Sequence, residues 1–246
     1  MKSYLITIPA YNEARIITDT LLKVSAYLEQ EFPHLIASNM LVLSVAINGS
    51  TDKTEEMVIG CQKRISYLAY TITSHKGRGA ALDNTWSRAT ESILLYIDSD
   101  LAYSLNDLGN MIRAYEANED YDLVVASRRV HGSVVKRPLV RVVLTEGYNW
   151  FIKFLFFNRF SDAQAGCKSI KRSVYVVLRE GVSIYDGWFF DTALLLYAEK
   201  RGYKIKDLKI TCIDNRKWRL AIVGTILYFV HKLIVLRLKT LIRGYH

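Results

Sequence analysis

Apolar residues in the first half of the chain come in short, nearly unbroken runs, separated by stretches with helical spacing. One run covers 4–8 and stops at Pro9, a second covers 41–47, and a third covers 93–97 and ends at Asp98. Apolar runs without alternation predict strands buried on both faces. Between the first two, Ile17, Leu21, Val24 and Leu28 recur at three- and four-residue steps, which predicts a helix over 13–30. Asn48-Gly49-Ser50-Thr51-Asp52 is a turn signal, and Thr51 or Asp52 can cap the helix after it. Residues 67–73 look strand-like, and Gly77-Arg78-Gly79 opens a helix expected to reach residue 90. A helix over 105–118 and a short strand over 123–126 complete the series.

This order predicts an α/β fold with a largely parallel sheet flanked by helices. In such sheets ligands bind at the carboxyl ends of the strands. The polar groups of this chain gather at those ends: Asn12-Glu13, Asn48 to Asp52, Asp98-Ser99-Asp100 and Ser127-Arg128.

The second half has another texture. Residues 134–141 are basic, and 146–160 carry Tyr148, Trp150, Phe151, Phe154, Phe156, Phe157 and Phe160. The last thirty or so residues interleave Arg216, Lys217, Arg219, Lys232, Arg237, Lys239 and Arg243 with Leu, Ile and Val. No repeat or Pro/Gly linker divides the chain, so the expected organisation is one catalytic domain over 1–215 and a basic amphipathic appendage over 216–246.

Composition narrows the class. In 246 residues, 50% hydrophobic and 23% charged excludes a disordered chain or a collagen. Cys61, Cys167 and Cys212 are scattered and form no Cys-x-x-Cys pair, so reduced thiols are expected, not a zinc ribbon or a disulfide framework. Thirty-three basic against 24 acidic residues leaves +9, which favours anionic partners: nucleic acid, anionic lipid or phosphorylated substrates. The N-terminal run is too short for a signal peptide, and Lys232 breaks the longest apolar stretch, 220–236.

Asp98-Ser99-Asp100 is the sharpest chemical signal. Two carboxylates one residue apart at a strand end can share a hard cation, Mg²⁺ or Mn²⁺, which would bridge a nucleotide diphosphate and stabilise it as it leaves. Lys76-Gly77-Arg78-Gly79 offers cations and glycines suited to close approach of phosphates. Each motif alone also reads as an ordinary turn or helix cap.

Taken together and in order, Ile8-Pro-Ala-Tyr-Asn-Glu13, Asn48-Gly-Ser-Thr-Asp52, Lys76-Gly-Arg-Gly-Ala80, Asp98-Ser-Asp100 and Ala126-Ser-Arg128 resemble family 2 glycosyltransferases of GT-A fold. Val135-Lys-Arg137, Asp162-Ala-Gln-Ala-Gly-Cys-Lys168 and Gly187-Trp-Phe-Phe-Asp191 are similar to the dolichyl-phosphate glucosyltransferase and polyprenyl-phosphate glycosyltransferase branch. The resemblance implies that Pro9, Tyr11, Glu13, Asn48, Lys76, Gly77 and Gln164 bind the nucleotide sugar. It gives the metal and diphosphate to Asp98 and Asp100. It turns Arg128, Lys136 and Arg137 to the acceptor phosphate, with Asp162, Lys168 and Asp191 on the acceptor side. Three places depart from the family pattern: Asn48 stands where an Asp is usual, Cys167 where a Phe is usual, and Ala193 where a late Glu is often found. A lipid phosphate is already anionic at neutral pH, so the absent Glu need not be replaced by another base.

A polyprenyl acceptor requires contact with a bilayer. The aromatic segment 146–160 and the basic tail both suit helices lying on a membrane surface, at the cytoplasmic face, as a peripheral or monotopic protein. Three other readings fit the pattern less well. A family 2 enzyme that makes a polysaccharide would usually need a transmembrane export channel, which the apolar pattern does not predict. A nucleic-acid-binding module would show a basic stripe with exposed aromatics, whereas the basic residues here sit beside apolar helices; no nucleic acid is expected. A nucleotidyltransferase would place a basic, Gly-rich loop after the first strand, where this chain has Pro9-Ala-Tyr-Asn-Glu13. No feature of the pattern assigns an oligomeric state.

Overall fold

The computed structural model describes residues 2–117, 120–182, 187–214 and 222–243. In chain order, the first half runs β1 (Tyr4–Ala10), α1 (Ile17–Glu31), α2 (Pro33–Ala37), β2 (Leu41–Asn48), α3 (Thr54–Gln62), β3 (Leu68–Thr73), α4 (Arg78–Trp86), β4 (Ile93–Ile97), α5 (Leu105–Glu116) and β5 (Leu123–Ser127). The second half runs β6 (Val134–Lys136), α6 (Leu139–Phe156), β7 (Cys167–Lys171), α7 (Arg172–Val182), a 3₁₀ turn (Gly187–Phe189), α8 (Phe190–Lys200), β8 (Ile205–Lys209), β9 (Thr211–Ile213) and α9 (Ile222–Arg243).

Seven strands form one sheet in the order β3-β2-β1-β4-β7-β5-β8. Every pairing is parallel except those of β7, which runs antiparallel to both β4 and β5. The apolar runs are buried as expected: every residue of β4 and β5 is buried, as are all but two across β1 and β2. Buried polar groups within the sheet find partners, as where Trp86 Nε1 donates to Thr7 Oγ1 at 3.1 Å. Behind the sheet Trp86 meets Tyr175 edge-on at 5.2 Å and Phe190 at 6.3 Å, tying α4, α7 and α8 into one core. A two-stranded parallel ladder, β6 with β9, lies apart from the main sheet.

Helix ends differ from expectation for identifiable reasons. The first helix starts at Ile17, not residue 13, because loop contacts claim its first turn: Asn12 is left-handed (φ 54), Ser50 Oγ accepts from Asn12 N, and Thr54 Oγ1 accepts from Glu13 N at 2.8 Å. The fourth helix stops at Trp86, followed by turn bonds through Ala89. Residue 118, the expected end of α5, lies outside the described residues; the helix itself ends at Glu116 and opens with a capping box between Ser104 and Asp107. The basic segment 134–141 divides between β6 and the first turn of α6. The aromatic stretch is helical only to Phe156, where left-handed Phe157 (φ 53) ends it.

Candidate active site

A cleft of about 370 Å³ opens at the carboxyl ends of β1, β2 and β4, lined by Pro9, Tyr11, Glu13, Asn48, Lys76, Gly77, Arg78, Asp98, Ser99, Asp100 and Trp188. The residues expected to hold a nucleotide sugar therefore come together, although the chain spaces them over nearly a hundred positions. Gln164 stands at the edge, its Nε2 donating to Trp188 O at 2.9 Å and to Thr192 Oγ1 at 3.0 Å.

The loops of the cleft are braced against one another. Asn12 Oδ1 accepts from Thr51 N at 2.8 Å, and Asp52 Oδ2 accepts from Ala14 N at 3.2 Å, so the loop after β1 is locked to the one after β2. Burial works to raise the Asp52 pKa, but the bonds from Thr54 and Ala14 outweigh it and hold the carboxyl below its usual range. Gly49 has φ 65, and a Cβ there would stand 3.0 Å from Ser74 O and 3.1 Å from Lys76 Cγ, so glycine is what lets the third loop approach. Lys76 Nζ lies 5.3 Å from the Tyr11 ring centroid. Asn48 is buried, and its Oδ1 has no hydrogen-bond partner in the protein.

The acidic pair follows β4. Asp98 N donates to Gly166 O at 3.0 Å, and a Cβ on Gly166 would collide with Asp98 Oδ2, so a side chain there would displace the Asp98 carboxylate. Ser99 Oγ donates to Glu13 Oε1 at 3.1 Å, and Asp100 Oδ1 accepts from Ala102 N at 3.0 Å. Asp98 Oδ1 lies 2.6 Å from Arg78 Nη2. Among the described residues, no group of three or more His, Cys, Asp or Glu side chains is placed to hold a metal ion. The donor set for a divalent cation is thus two hard carboxylates lining the cleft, which suits Mg²⁺ or Mn²⁺ with the remaining ligands from phosphate and water.

Beneath the cleft lies a buried charge chain that the motifs did not reveal. Arg78 spans from Asp98 to Asp191, with Nη1 2.9 Å from Asp191 Oδ2, and the Trp188 ring covers the guanidinium at 4.4 Å. Asp191 also accepts from Tyr96 Oη, and Lys168 Nζ is 3.2 Å from Asp191 Oδ1. Burial works against the charge on Arg78, but Asp98, Tyr96 and Asp191 outweigh it and raise its pKa. For Lys168 burial wins over Asp191 and Asp162, and the pKa falls. Lys168 and Asp191, expected beside the acceptor, lie buried as an ion pair, at most 3% exposed. Arg78 and Trp188 line the cleft without having been expected there, although the Lys76-Gly-Arg-Gly and Gly187-Trp-Phe-Phe-Asp191 motifs contain them.

The remaining basic residues gather away from the cleft lining. Arg128 forms a two-pronged pair with wholly buried Asp162, and its Nη2 also donates to Gln164 O at 2.8 Å. Arg137 is mostly buried; its Nη1 donates to Thr145 Oγ1 at 3.2 Å, its Nε has no hydrogen-bond partner, and Asp214 lies 3.6 Å from it. Burial and then repulsion from Arg128 lower the Arg137 pKa. Lys136 is exposed on β6.

Next to this group, α6 and α9 pack together, with Tyr148 and Phe229 4.9 Å apart and Leu233 and Leu236 fully buried. Their outer faces stay apolar. Leu139, Val143, Trp150, Phe154 and Phe157 are exposed along one side of α6 and just past its end, and Leu227, Ile234 and Leu238 along one side of α9. No helix among the described residues is long and apolar enough to cross a membrane. Of the tail over 216–246, residues 216–221 and 244–246 lie outside the described residues.

A strand-end cleft carrying an Asp-x-Asp pair on a mostly parallel sheet has the place and the donor groups that a nucleotide-sugar-dependent transferase requires. Residues 5–178 match the family model Glycosyl transferase family 2, and the chain belongs to that family. It is 29% identical over 208 residues to the glycosyltransferase AglD of Haloferax volcanii, covering 83% of this chain and 32% of that protein. It is 28% identical over 226 residues to a dolichyl-phosphate beta-glucosyltransferase of Trichomonas vaginalis, covering 89% of this chain and 68% of that one. Among solved structures, the fold is shared with glucosyl-3-phosphoglycerate synthase from Mycobacterium tuberculosis in complex with Mn²⁺, uridine diphosphate and phosphoglyceric acid. The TM-score is 0.73 at 18% identity, over 96% of this chain and 78% of that one.

Proposed function

We propose that this chain is an inverting, divalent-cation-dependent glycosyltransferase that moves a hexose from a nucleotide sugar to a polyprenyl or dolichyl phosphate. The product is a β-linked lipid phosphosugar, and the preferred donor is UDP-glucose. The observation that carries the reading is the meeting of two surfaces in one molecule: a polar strand-end cleft with paired carboxylates, and exposed apolar helices beside a mostly buried arginine whose Nε makes no hydrogen bond.

In this reading the base and ribose lie against Pro9, Tyr11 and Asn48, and Asn48 Oδ1 accepts the imide N–H of uracil. A neutral amide serves where the family usually has a carboxylate. Lys76 and Gly77 approach the diphosphate, and Glu13 and Gln164 border the nucleotide sugar. Asp98 and Asp100 hold Mg²⁺ or Mn²⁺, which when bound supplies charge to the leaving diphosphate. Arg128, Lys136 and Arg137 draw the acceptor phosphate, Arg137 most directly, and Asp162 fixes the Arg128 fork. The phosphate oxygen is anionic and needs only position and screening to attack C1 from the face opposite the diphosphate. Lys168 and Asp191 act from below, by holding Arg78.

The outward faces of α6 and α9 rest on the cytoplasmic surface of a membrane, which brings the phosphate of a buried prenol to headgroup depth. The test is direct. The protein is incubated with Mn²⁺, a short polyprenyl phosphate and, in turn, UDP-glucose, GDP-mannose and UDP-N-acetylglucosamine, and the lipid product is weighed by mass spectrometry. A hexose adduct from UDP-glucose is expected. Hydrolysis of donor with no lipid adduct from any of the three would refute the acceptor.

A further inference from the structure

Arg78 stands where a divalent cation on Asp98 would have to compete with it. Its Nη2 is 2.6 Å from Asp98 Oδ1, its other arm is 2.9 Å from Asp191 Oδ2, and only 8% of the side chain is exposed. The Trp188 ring lies over the guanidinium at 4.4 Å and the Tyr96 ring is 5.4 Å from it. Lys168 holds the second oxygen of Asp191 at 3.2 Å. The chain Asp98–Arg78–Asp191–Lys168 therefore sets two carboxylates against two cations, and Asp98 offers no uncompensated charge to a free metal ion.

We propose that Arg78 is a positioning residue that acts as the resident counter-cation of Asp98 and makes divalent-cation binding depend on the nucleotide diphosphate. The proposal rests on the reading of Asp98 as a cation ligand. A doubly charged ion on Asp98 lies within a few ångströms of the guanidinium, and their repulsion weakens binding of the free ion by at least ~10-fold even at an effective dielectric of about 20. A nucleoside diphosphate reverses the balance. Its oxygens suit the flat guanidinium fork, and Arg78 lines the same cleft. The arm on Asp98 can turn to phosphate while the arm on Asp191 stays in place, so Asp98 is released as the diphosphate arrives. Metal and nucleotide then enter as a coupled pair, with reciprocal gains in affinity.

A merely structural ion pair makes the opposite prediction. Removing it would loosen the cleft and weaken cation binding, whereas removing a competitor strengthens it. The experiment titrates Mn²⁺ alone into the full chain and follows free Mn²⁺ by electron paramagnetic resonance, then repeats with saturating UDP. Arg78→Gln is expected to bind Mn²⁺ alone at least ~10-fold more tightly than the parent and to gain less from UDP. Trp188→Ala, at a half-exposed site, is expected to shift Mn²⁺ affinity the same way by about threefold, through loss of the cation–π contact that holds the competitor. Asp98→Asn is expected to weaken Mn²⁺ in both conditions. If Asp98→Asn weakens binding but neither of the other variants tightens it, the counter-cation role is wrong and the ligand assignment survives. If Asp98→Asn leaves Mn²⁺ affinity unchanged, the ligand assignment fails and takes this proposal with it. Should Arg78→Gln not fold, the Trp188→Ala shift decides.

Discussion

The Arg128 guanidinium grips the Asp162 carboxylate in parallel, Nε to Oδ2 at 2.7 Å and Nη2 to Oδ1 at 2.8 Å, with the acid wholly buried. Burial alone would raise the Asp162 pKa, but the neighbouring Arg128 outweighs it and the pKa is lowered. Burial opposes the charge on Arg128 too, and Asp162 raises its pKa well above the ordinary arginine value. The pair thus ties the end of β5 to the loop that precedes β7, and its first effect is on stability.

Arg128→Ala leaves a buried carboxylate without its partner, which costs about 3–5 kcal/mol. The melting temperature should fall by roughly 6–20 °C for a chain of this size. The sign with pH follows from the lowered pKa: the contribution is complete above the unfolded value near ~3.9 and is lost as pH falls through the folded value below it. Melts of parent and variant at pH 7 and pH 3 check this. The gap should narrow at pH 3, and an equal gap at both would show that the charge pair is not its cause.

Arg137 has the better claim to the acceptor phosphate, being mostly buried with an Nε that makes no hydrogen bond. Loss of a charge-assisted contact is worth ~1.5–3 kcal/mol, so Arg137→Ala should raise KM for the lipid phosphate roughly 10- to 150-fold. The dissociation constant for UDP should stay within about twofold. A variant that loses UDP and keeps its acceptor KM would put this arginine on the donor side.

Asp98→Asn or Asp100→Asn should each lower turnover by at least ~10²-fold, and chelation by EDTA should do the same to the parent, with recovery on adding Mn²⁺. Turnover is read from product mass over time. Full activity in the doubly substituted protein would remove the cation from the mechanism.

Asn48 Oδ1 makes no hydrogen bond within the protein, so substitution there gives up a ligand contact and little internal structure. Asn48→Leu should weaken UDP binding about 5- to 15-fold, the value of one hydrogen bond, with a melting temperature close to the parent's. Calorimetric titration of UDP gives the number. Unchanged affinity would move the base elsewhere in the cleft.

The membrane face is better tested by surface substitution than by removing the tail, because Leu233 and Leu236 of α9 are buried and Phe229 packs on Tyr148. Phe154→Glu with Leu238→Glu replaces two exposed apolar side chains and leaves those contacts alone. Each lost apolar anchor is worth ~1.5–3 kcal/mol, so flotation with anionic vesicles should fall by at least ~10-fold. Binding of the parent should weaken as salt screens the basic residues. Retention that withstands alkaline carbonate would contradict surface attachment.

Strands β1, β2 and β4 were legible in the chain because a strand buried on both faces must be apolar along its whole length. That requirement is local, and Tyr4, Leu43 and Leu95 meet it without reference to partners. The chemistry at their ends was legible for a related reason. Asn48 and Asp98 follow apolar runs directly, and a parallel sheet places such ends on one side. The sequence by itself therefore determined an α/β sheet with a polar cleft at the Asp98-Ser99-Asp100 end. It did not determine β7. Five residues, two of them lysines, pair antiparallel to Ile93–Ile97 and join β4 to β5, and a choice of partner about seventy residues away leaves no periodic trace. The same holds for the charges. Arg78, Lys168 and Asp191 look alike in the chain whether they face solvent or substrate, and only the crossing of α4, β7 and α8 buries them together. Once out of water, each ion must be paired to be tolerated. Tertiary packing, which decides where desolvation falls, thus turned three separate motif residues into the support of Asp98.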